Sequence, residues 1–336
     1  MKMKRLNSNR NCLFAMLLSV TLAMVACGGQ KQPEPLPASS VTIPVFDPDS
    51  AFSYIERQVA LGPRVPGSAA WKQCADYLAT TLADWGLTVT RQTGNVQAFE
   101  GISLPMQNII ASYKPESKKR ILLCAHWDCR PWADNDPDPA NYHTPVDGAN
   151  DGASGVGILL EIARNIAGKE GPALGVDIIL FDVEDYGVPA FREDLQEDTW
   201  CLGSKYWSRT PHTPGYNARY GILLDMVGAP GATFYPEGFS REYAPAIVEK
   251  VWNKAHQLGY GAYFPKGRGG YVTDDHLPVN RIARIPCIDI IPMDTECEQS
   301  TFGPTWHTVN DNMQHIDRAT LKAVGQTVMA VVYEEK

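Results

Sequence analysis

The stretch Val176-Asp177-Ile178-Ile179-Leu180-Phe181-Asp182-Val183-Glu184-Asp185 decides how the chain is read. Its apolar residues follow one another instead of alternating with polar ones, as in a central strand covered on both faces. It ends on two adjacent carboxylates, Glu184 and Asp185, which repel unless a cation or a shared proton separates their roles. A metal-ligating Asp beside a proton-carrying Glu accounts for the pair. Further β-rich runs lie at 107–113, 120–125, 220–226 and 286–291, and the central run itself extends over 176–183. Ser68 opens a helical pattern with Trp71, Cys74, Leu78, Leu82 and Trp85 on one face, closed by Gly86. Helices are also predicted at 154–167, 241–258 and 317–334. Strands alternating with helices predict a single layered α/β domain over 45–336. In such sheets, ligands collect at the carboxyl ends of the strands.

Those ends are where acidic residues and histidines stand. His126 follows Ile121-Leu122-Leu123-Cys124-Ala125, and Asp225 follows Gly221-Ile222-Leu223-Leu224. Asp151 lies in Gly148-Ala149-Asn150-Asp151-Gly152 just before a helix, and His307 lies in Thr305-Trp306-His307-Thr308. Thr273-Asp274-Asp275-His276 and Asp289 complete the set. Each has an ordinary alternative: a hydrogen-bonded structural histidine for His126, a helix cap for Asp151, a turn for Asp225 and a surface histidine for His307. Their joint placement at strand-to-loop transitions favours a metal site. Zinc suits mixed imidazole and carboxylate ligands, whereas magnesium usually takes fewer histidines.

The N-terminus reads as an export signal. Lys2, Lys4, Arg5 and Arg10 precede an apolar run from Cys12 to Ala26, too short to cross a bilayer comfortably. The run ends Met24-Val25-Ala26-Cys27-Gly28, which resembles a bacterial lipobox and implies lipidation of Cys27 after removal of residues 1–26. Ordinary secretion with a free Cys27 is the alternative. Pro33, Pro35, Pro37 and Pro44 then mark a disordered tether over 27–44. Loss of the four basic residues would take the net charge from −8 to −12, a poor balance for nucleic-acid binding. The cysteines at 74, 124, 129, 201, 287 and 297 show no C-x-x-C spacing, which argues against a cysteine zinc site; Cys124 and Cys287 read as buried thiols.

The series His126, Asp151, Glu184-Asp185, Asp225 and His307 resembles the M28 family of zinc aminopeptidases over most of residues 50–336. The resemblance implies a three-layer fold, with a mixed, mostly parallel twisted sheet between helices. It implies two zinc ions held by His126, Asp151, Asp185, Asp225 and His307, with Glu184 activating water. Glutaminyl cyclases share the fold and most of these positions, but bind one zinc and convert N-terminal glutamine to pyroglutamate. Three features are closer to them: Thr273-Asp274-Asp275-His276-Leu277-Pro278, Trp306 directly before the last histidine, and the stretches 126–132, 135–150 and 182–187. The last resemble cyclase lipoproteins of Bacteroidetes-type bacteria. That resemblance implies zinc on Asp151, Asp185 and His307, Glu184 as proton carrier supported by Asp225 and Asp274, and pocket walls from Trp306 and Trp127. It departs from the animal cyclases at Asp185, where they have Glu, and at Asp289, where they have His. The expected partners are N-terminal Gln peptides and, through Cys27, a membrane facing the periplasm, with the monomer as default. A di-zinc aminopeptidase and a non-catalytic peptide-binding lipoprotein are the alternatives.

Overall fold

The structure is a computed structural model that describes residues 42–168 and 170–336. The expected leader, Cys27 and all but the last three residues of the expected tether lie outside the described residues. Of those three, Ile43 packs against the core and the Pro44 carbonyl accepts a hydrogen bond from Gln326.

Among the described residues one sheet forms, in the order β1 (Thr88–Gln97), β2 (Ser103–Tyr113), β4 (Gly175–Phe181), β3 (Arg120–His126), β5 (Gly221–Leu224), β6 (Cys287–Ile290). β2 is antiparallel to both of its neighbours, while β4, β3, β5 and β6 pair in parallel. The strands alternate residue by residue between two apolar layers. Ile121, Leu123, Ala125, Ile178, Leu180, Ile222 and Leu224 face the larger core. Leu122, Cys124, Ile179, Phe181, Leu223 and Cys287 face the smaller one. This is why the strand sequences are apolar on successive positions.

Helices α1 (Pro48–Val59), α2 (Ala69–Asp84) and α3 (Ala153–Ile166) cover the larger face. α4 (Leu202–Arg209) lies on the other, where Trp207 packs on Phe181. α5 (Gly238–Tyr243) and α6 (Pro245–Gln257) stand where one helix was predicted. Pro245 has no N–H to continue the first helix and instead starts the second. A single turn, α7 (His276–Pro278), leads into a π-helical turn at Val279–Ala283, and α8 (Arg318–Glu334) closes the larger core. No helix among the described residues is long and apolar enough to cross a membrane.

Two predicted strands stop early for the same reason. β4 ends at Phe181 and β5 at Leu224, because Val183 and Met226 have φ of 52° and 50°. A left-handed residue turns the chain out of the sheet, and for β-branched Val183 this is a true outlier. The edge strand β1 and helices α1 and α4 escape the sequence reading. β1 (TVTRQTGNVQ) buries a single residue, so it carries little apolar signal.

Candidate metal centre

The parallel strands deliver their carboxyl ends to one rim. His126 is the last residue of β3, Glu184 and Asp185 follow β4, and Asp225 follows β5. Asp151 precedes α3 but does not cap it. Gly152 occupies the cap position at φ 96°, and Asp311 accepts the backbone N–H groups of Asn150 and Asp151 at 2.7 and 3.0 Å. The loop is thereby held with the Asp151 side chain turned into the site. A Cβ at Gly152 would lie 2.5 Å from the Asp128 carbonyl oxygen, so this approach requires glycine.

Two ligand triangles meet at Asp151. Its Oδ1 lies 3.0 Å from His126 Nε2, which is also 3.1 Å from Asp225 Oδ1. Its Oδ2 lies 3.7 Å from His307 Nε2, which is 3.2 Å from Asp185 Oδ1. All five residues are buried. The triangles differ in how well they are satisfied. His126 and Asp225 hydrogen-bond to each other, but neither carboxylate oxygen of Asp185 has a hydrogen-bond donor. Arg130 Nη1 stands 3.7 Å from Asp185 Oδ1, too far to hydrogen-bond, which leaves the oxygens free for a closer cation. A buried carboxylate without a hydrogen-bond donor calls for one. With His307 Nε2 and Asp151 Oδ2 beside it, the donor set of this second triangle fits zinc.

His307, at φ 53°, is buried rather than on the surface. Its Nδ1 lies 3.4 Å from Asp134 Oδ1, and Arg130 binds both Asp134 oxygens at 3.0 and 2.6 Å. Burial raises the Asp134 pKa, but His307 and Arg130 outweigh it and hold the carboxyl below its usual range. A carboxylate behind a ligating imidazole fixes its tautomer and orientation. The indoles of Trp306 and Trp200 both stack on the His307 ring, at centroid distances of 3.8 and 5.9 Å.

Glu184 shares the rim with different neighbours. Its Oε1 accepts a hydrogen bond from the Cys201 thiol at 3.2 Å, and its carboxylate, the Cys201 sulfur and the Asp274 carboxylate come within 4.8 Å of one another. Burial pushes the Glu184 pKa well up, His126 opposes this, and the charges of Asp274 and Asp185 reinforce it. Burial, with the charge of Asp225, pushes Asp274 up to about 7. Such a cluster persists only with shared protons or a cation. Asp289, with His276 and Glu237, lies buried behind Asp274.

Glu184, Asp185, Asp151, Asp225, Asp274 and His307 all open onto one cavity of about 230 Å³, which Trp306 and Phe302 help to wall. Trp127 does not reach it. That indole is fully buried, stacks on Trp71 at 5.8 Å and donates to the Gln107 carbonyl, so it is core and not pocket wall. The larger recess of about 1050 Å³ between α1 and α2 contains none of the candidate site residues. Trp200, Asp134 and Asp311 are not singled out by the sequence, Asp128 and Arg130 enter only within the stretch 126–132, and Cys201 only as one of the cysteines. They come from irregular loops whose contacts leave no periodic trace.

A twisted α/β sheet with paired acidic and imidazole ligands at its carboxyl rim defines a metallopeptidase-like architecture. Residues 108–332 match Peptidase family M28, and the chain belongs to that family. It is 28% identical to bovine glutaminyl-peptide cyclotransferase over 302 residues, covering 81% of this chain and 77% of the relative. The crystal structure of Bacteroides thetaiotaomicron glutaminyl cyclase bound to N-acetylhistamine superposes with a TM-score of 0.86 at 58% identity, covering 88% of this chain and 100% of that one. A Zn-dependent exopeptidase from Parabacteroides distasonis also superposes with a TM-score of 0.86, at 53% identity and the same coverage.

The role of Asp311 is open to test by metal affinity. Asp311→Ala should weaken zinc binding by about 10- to 100-fold, as loss of a residue that supports a ligand typically does. Competition against a chromogenic chelator measures it, and unchanged affinity would refute the support role.

Proposed function

We propose that this protein is a zinc-dependent glutaminyl-peptide cyclotransferase, which converts the N-terminal glutamine of peptides to pyroglutamate and releases ammonia. The likeness to the Bacteroides thetaiotaomicron glutaminyl cyclase over 88% of this chain carries the reading. The geometry supports it: Asp151, Asp185 and His307 form the triangle with orphaned carboxylate oxygens, while the ligand-facing His126 Nε2 and Asp225 Oδ1 hydrogen-bond to each other. That asymmetry favours one zinc ion, on the Asp151–Asp185–His307 side. When bound, zinc supplies Lewis acidity toward the γ-carboxamide oxygen of glutamine.

The chain's own residues then handle one proton. The substrate α-amine attacks its own γ-carboxamide carbon, so the new C–N bond closes a five-membered ring. Confinement in the cavity holds the amine near its target and draws on the large advantage of intramolecular reaction. Glu184 takes the amine proton and returns it to the departing nitrogen, which leaves as ammonia. Asp274, within 4.8 Å of Glu184, is placed to share that proton, and Asp225 holds His126 beside the same carboxylates. Trp306 walls the pocket. Peptide hydrolysis is the second reading, favoured by one observation: His126, Asp151 and Asp225 also come together as a ligand set for a second ion.

The leader sequence and Cys27 support an exported lipoprotein, anchored to a membrane and facing the periplasm. Cys27→Ser should move the protein from the membrane to the soluble fraction; retention in the membrane fraction would refute the anchor. The reaction is tested with zinc-loaded protein and a Gln-initiated peptide. The expected products are ammonia and the pyroglutamyl peptide, with metal analysis giving about one zinc per chain. Free glutamine, release of amino acids from Leu- or Ala-initiated peptides, or two zinc ions per chain would favour the aminopeptidase.

A further inference from the structure

The cavity that holds the site, about 230 Å³, falls below the 300–1,000 Å³ usual for ligand pockets and suits one terminal residue. The rest of a peptide substrate must leave through the mouth. A second recess of about 560 Å³ begins there, because Trp200 and Thr273 wall both cavities. Its apolar lining comes from Leu277, Pro278 and the part-exposed Ile282 on α7 and the π-helical turn.

The charges around this recess are unevenly paired. Lys205 is bound to Asp198 at 2.8 Å, and Glu197 accepts the backbone N–H of Glu100 without a cationic partner among the described residues. Three basic and two acidic lining residues leave the recess one positive charge in excess. Arg209, exposed at the last turn of α4, and Arg281, from the π-helical turn, have no carboxylate partner among the described residues. Arg281 instead donates to the Tyr243 hydroxyl, with its guanidinium 4.9 Å from the centroid of the Phe239 ring, which holds it against α5 at the edge of the recess. Two unpaired arginines beside the active-site mouth stand out in a chain of net charge −8.

Resting on the cyclase reading above, we propose that this recess takes the residues that follow the N-terminal glutamine, and that Arg209 and Arg281 select acidic side chains there. An extended chain advances about 3.3–3.6 Å per residue, so the third and fourth residues lie along the recess once the first is in the site. The preferred substrates are therefore Gln-initiated peptides with Asp or Glu at positions three and four. Rim charges act on encounter and affinity more than on chemistry, so the selection falls on KM and weakens with salt.

The test compares Gln-Ala-Asp-Asp, Gln-Ala-Ala-Ala and Gln-Ala-Lys-Lys peptides on the zinc-loaded protein, by ammonia release and by competitive fluorescence-polarisation binding. The acidic peptide should exceed the basic one by about three- to tenfold in kcat/KM and in affinity at low salt, with similar kcat. Arg209→Glu together with Arg281→Glu should abolish or invert that order, with the neutral peptide changing less than either charged one. Arg209→Glu alone, at an exposed helix end, keeps the test informative if the double variant folds poorly. Equal affinities for acidic and basic peptides, or an order unchanged in the variants, would overturn the proposal. Tighter binding of the acidic peptide without turnover of any peptide would support the recess and refute the cyclase reading.

Discussion

Two consecutive backbone N–H groups, those of Glu184 and Asp185, end on one buried carboxylate, Asp128, at 3.1 and 3.2 Å. Two hydrogen bonds on one carboxyl group fix the direction of both peptide units, and they are needed here. Val183 immediately before them sits at φ 52°, a conformation that costs on the order of 1–3 kcal/mol and persists only where the surroundings over-determine it. Asp182 contributes by accepting the Val183 N–H, and the opposite corner clamps the turn through Cys201 N to Glu184 O and Leu202 N to Val183 O. The rest of the site depends on this corner. It ends β4 abruptly and turns two neighbouring carboxylates toward different partners.

Their surroundings show the division of labour. Asp185 faces His307 and Asp151 with both oxygens free of hydrogen-bond donors, while Arg130 bonds its backbone carbonyl and stands 3.7 Å from its Oδ1. Glu184 faces Cys201 and Asp274, groups that hold or exchange protons. Asp151 joins the two halves, one oxygen toward each histidine. The same like-charge cluster would be costly in an apolar core and here calls for shared protons or a cation. Asp128, Asp182 and Asp311 fix the backbone of the rim by accepting its N–H groups.

The central strands were legible because burial on both faces leaves runs of successive apolar residues, and His126, the Glu184–Asp185 pair and Asp225 stood out because each follows such a run; Asp151 and His307 follow none. The limits of that signal are equally physical. Nothing in the composition of 176–183 tells that Val183 abandons the sheet, since Val is a strand former. Trp127 follows His126 in sequence, yet the alternation of the chain turns it into the core against Trp71, away from the pocket. Trp200, which does wall the pocket, comes from an irregular loop distant from any ligand in sequence. Asp134 and Asp311 support ligands through contacts across 173 and 160 positions, and such long-range pairs leave no local pattern.

The separation of roles between adjacent carboxylates is tested most directly by zinc content and turnover in two variants, Glu184→Gln and Asp185→Asn. Glu184→Gln should retain its zinc while losing at least about 100-fold in cyclisation of a Gln-initiated peptide, the usual scale for a missing acid–base group. Asp185→Asn should lose zinc itself. Near-normal turnover in Glu184→Gln, or equal zinc retention in both variants, would contradict the account.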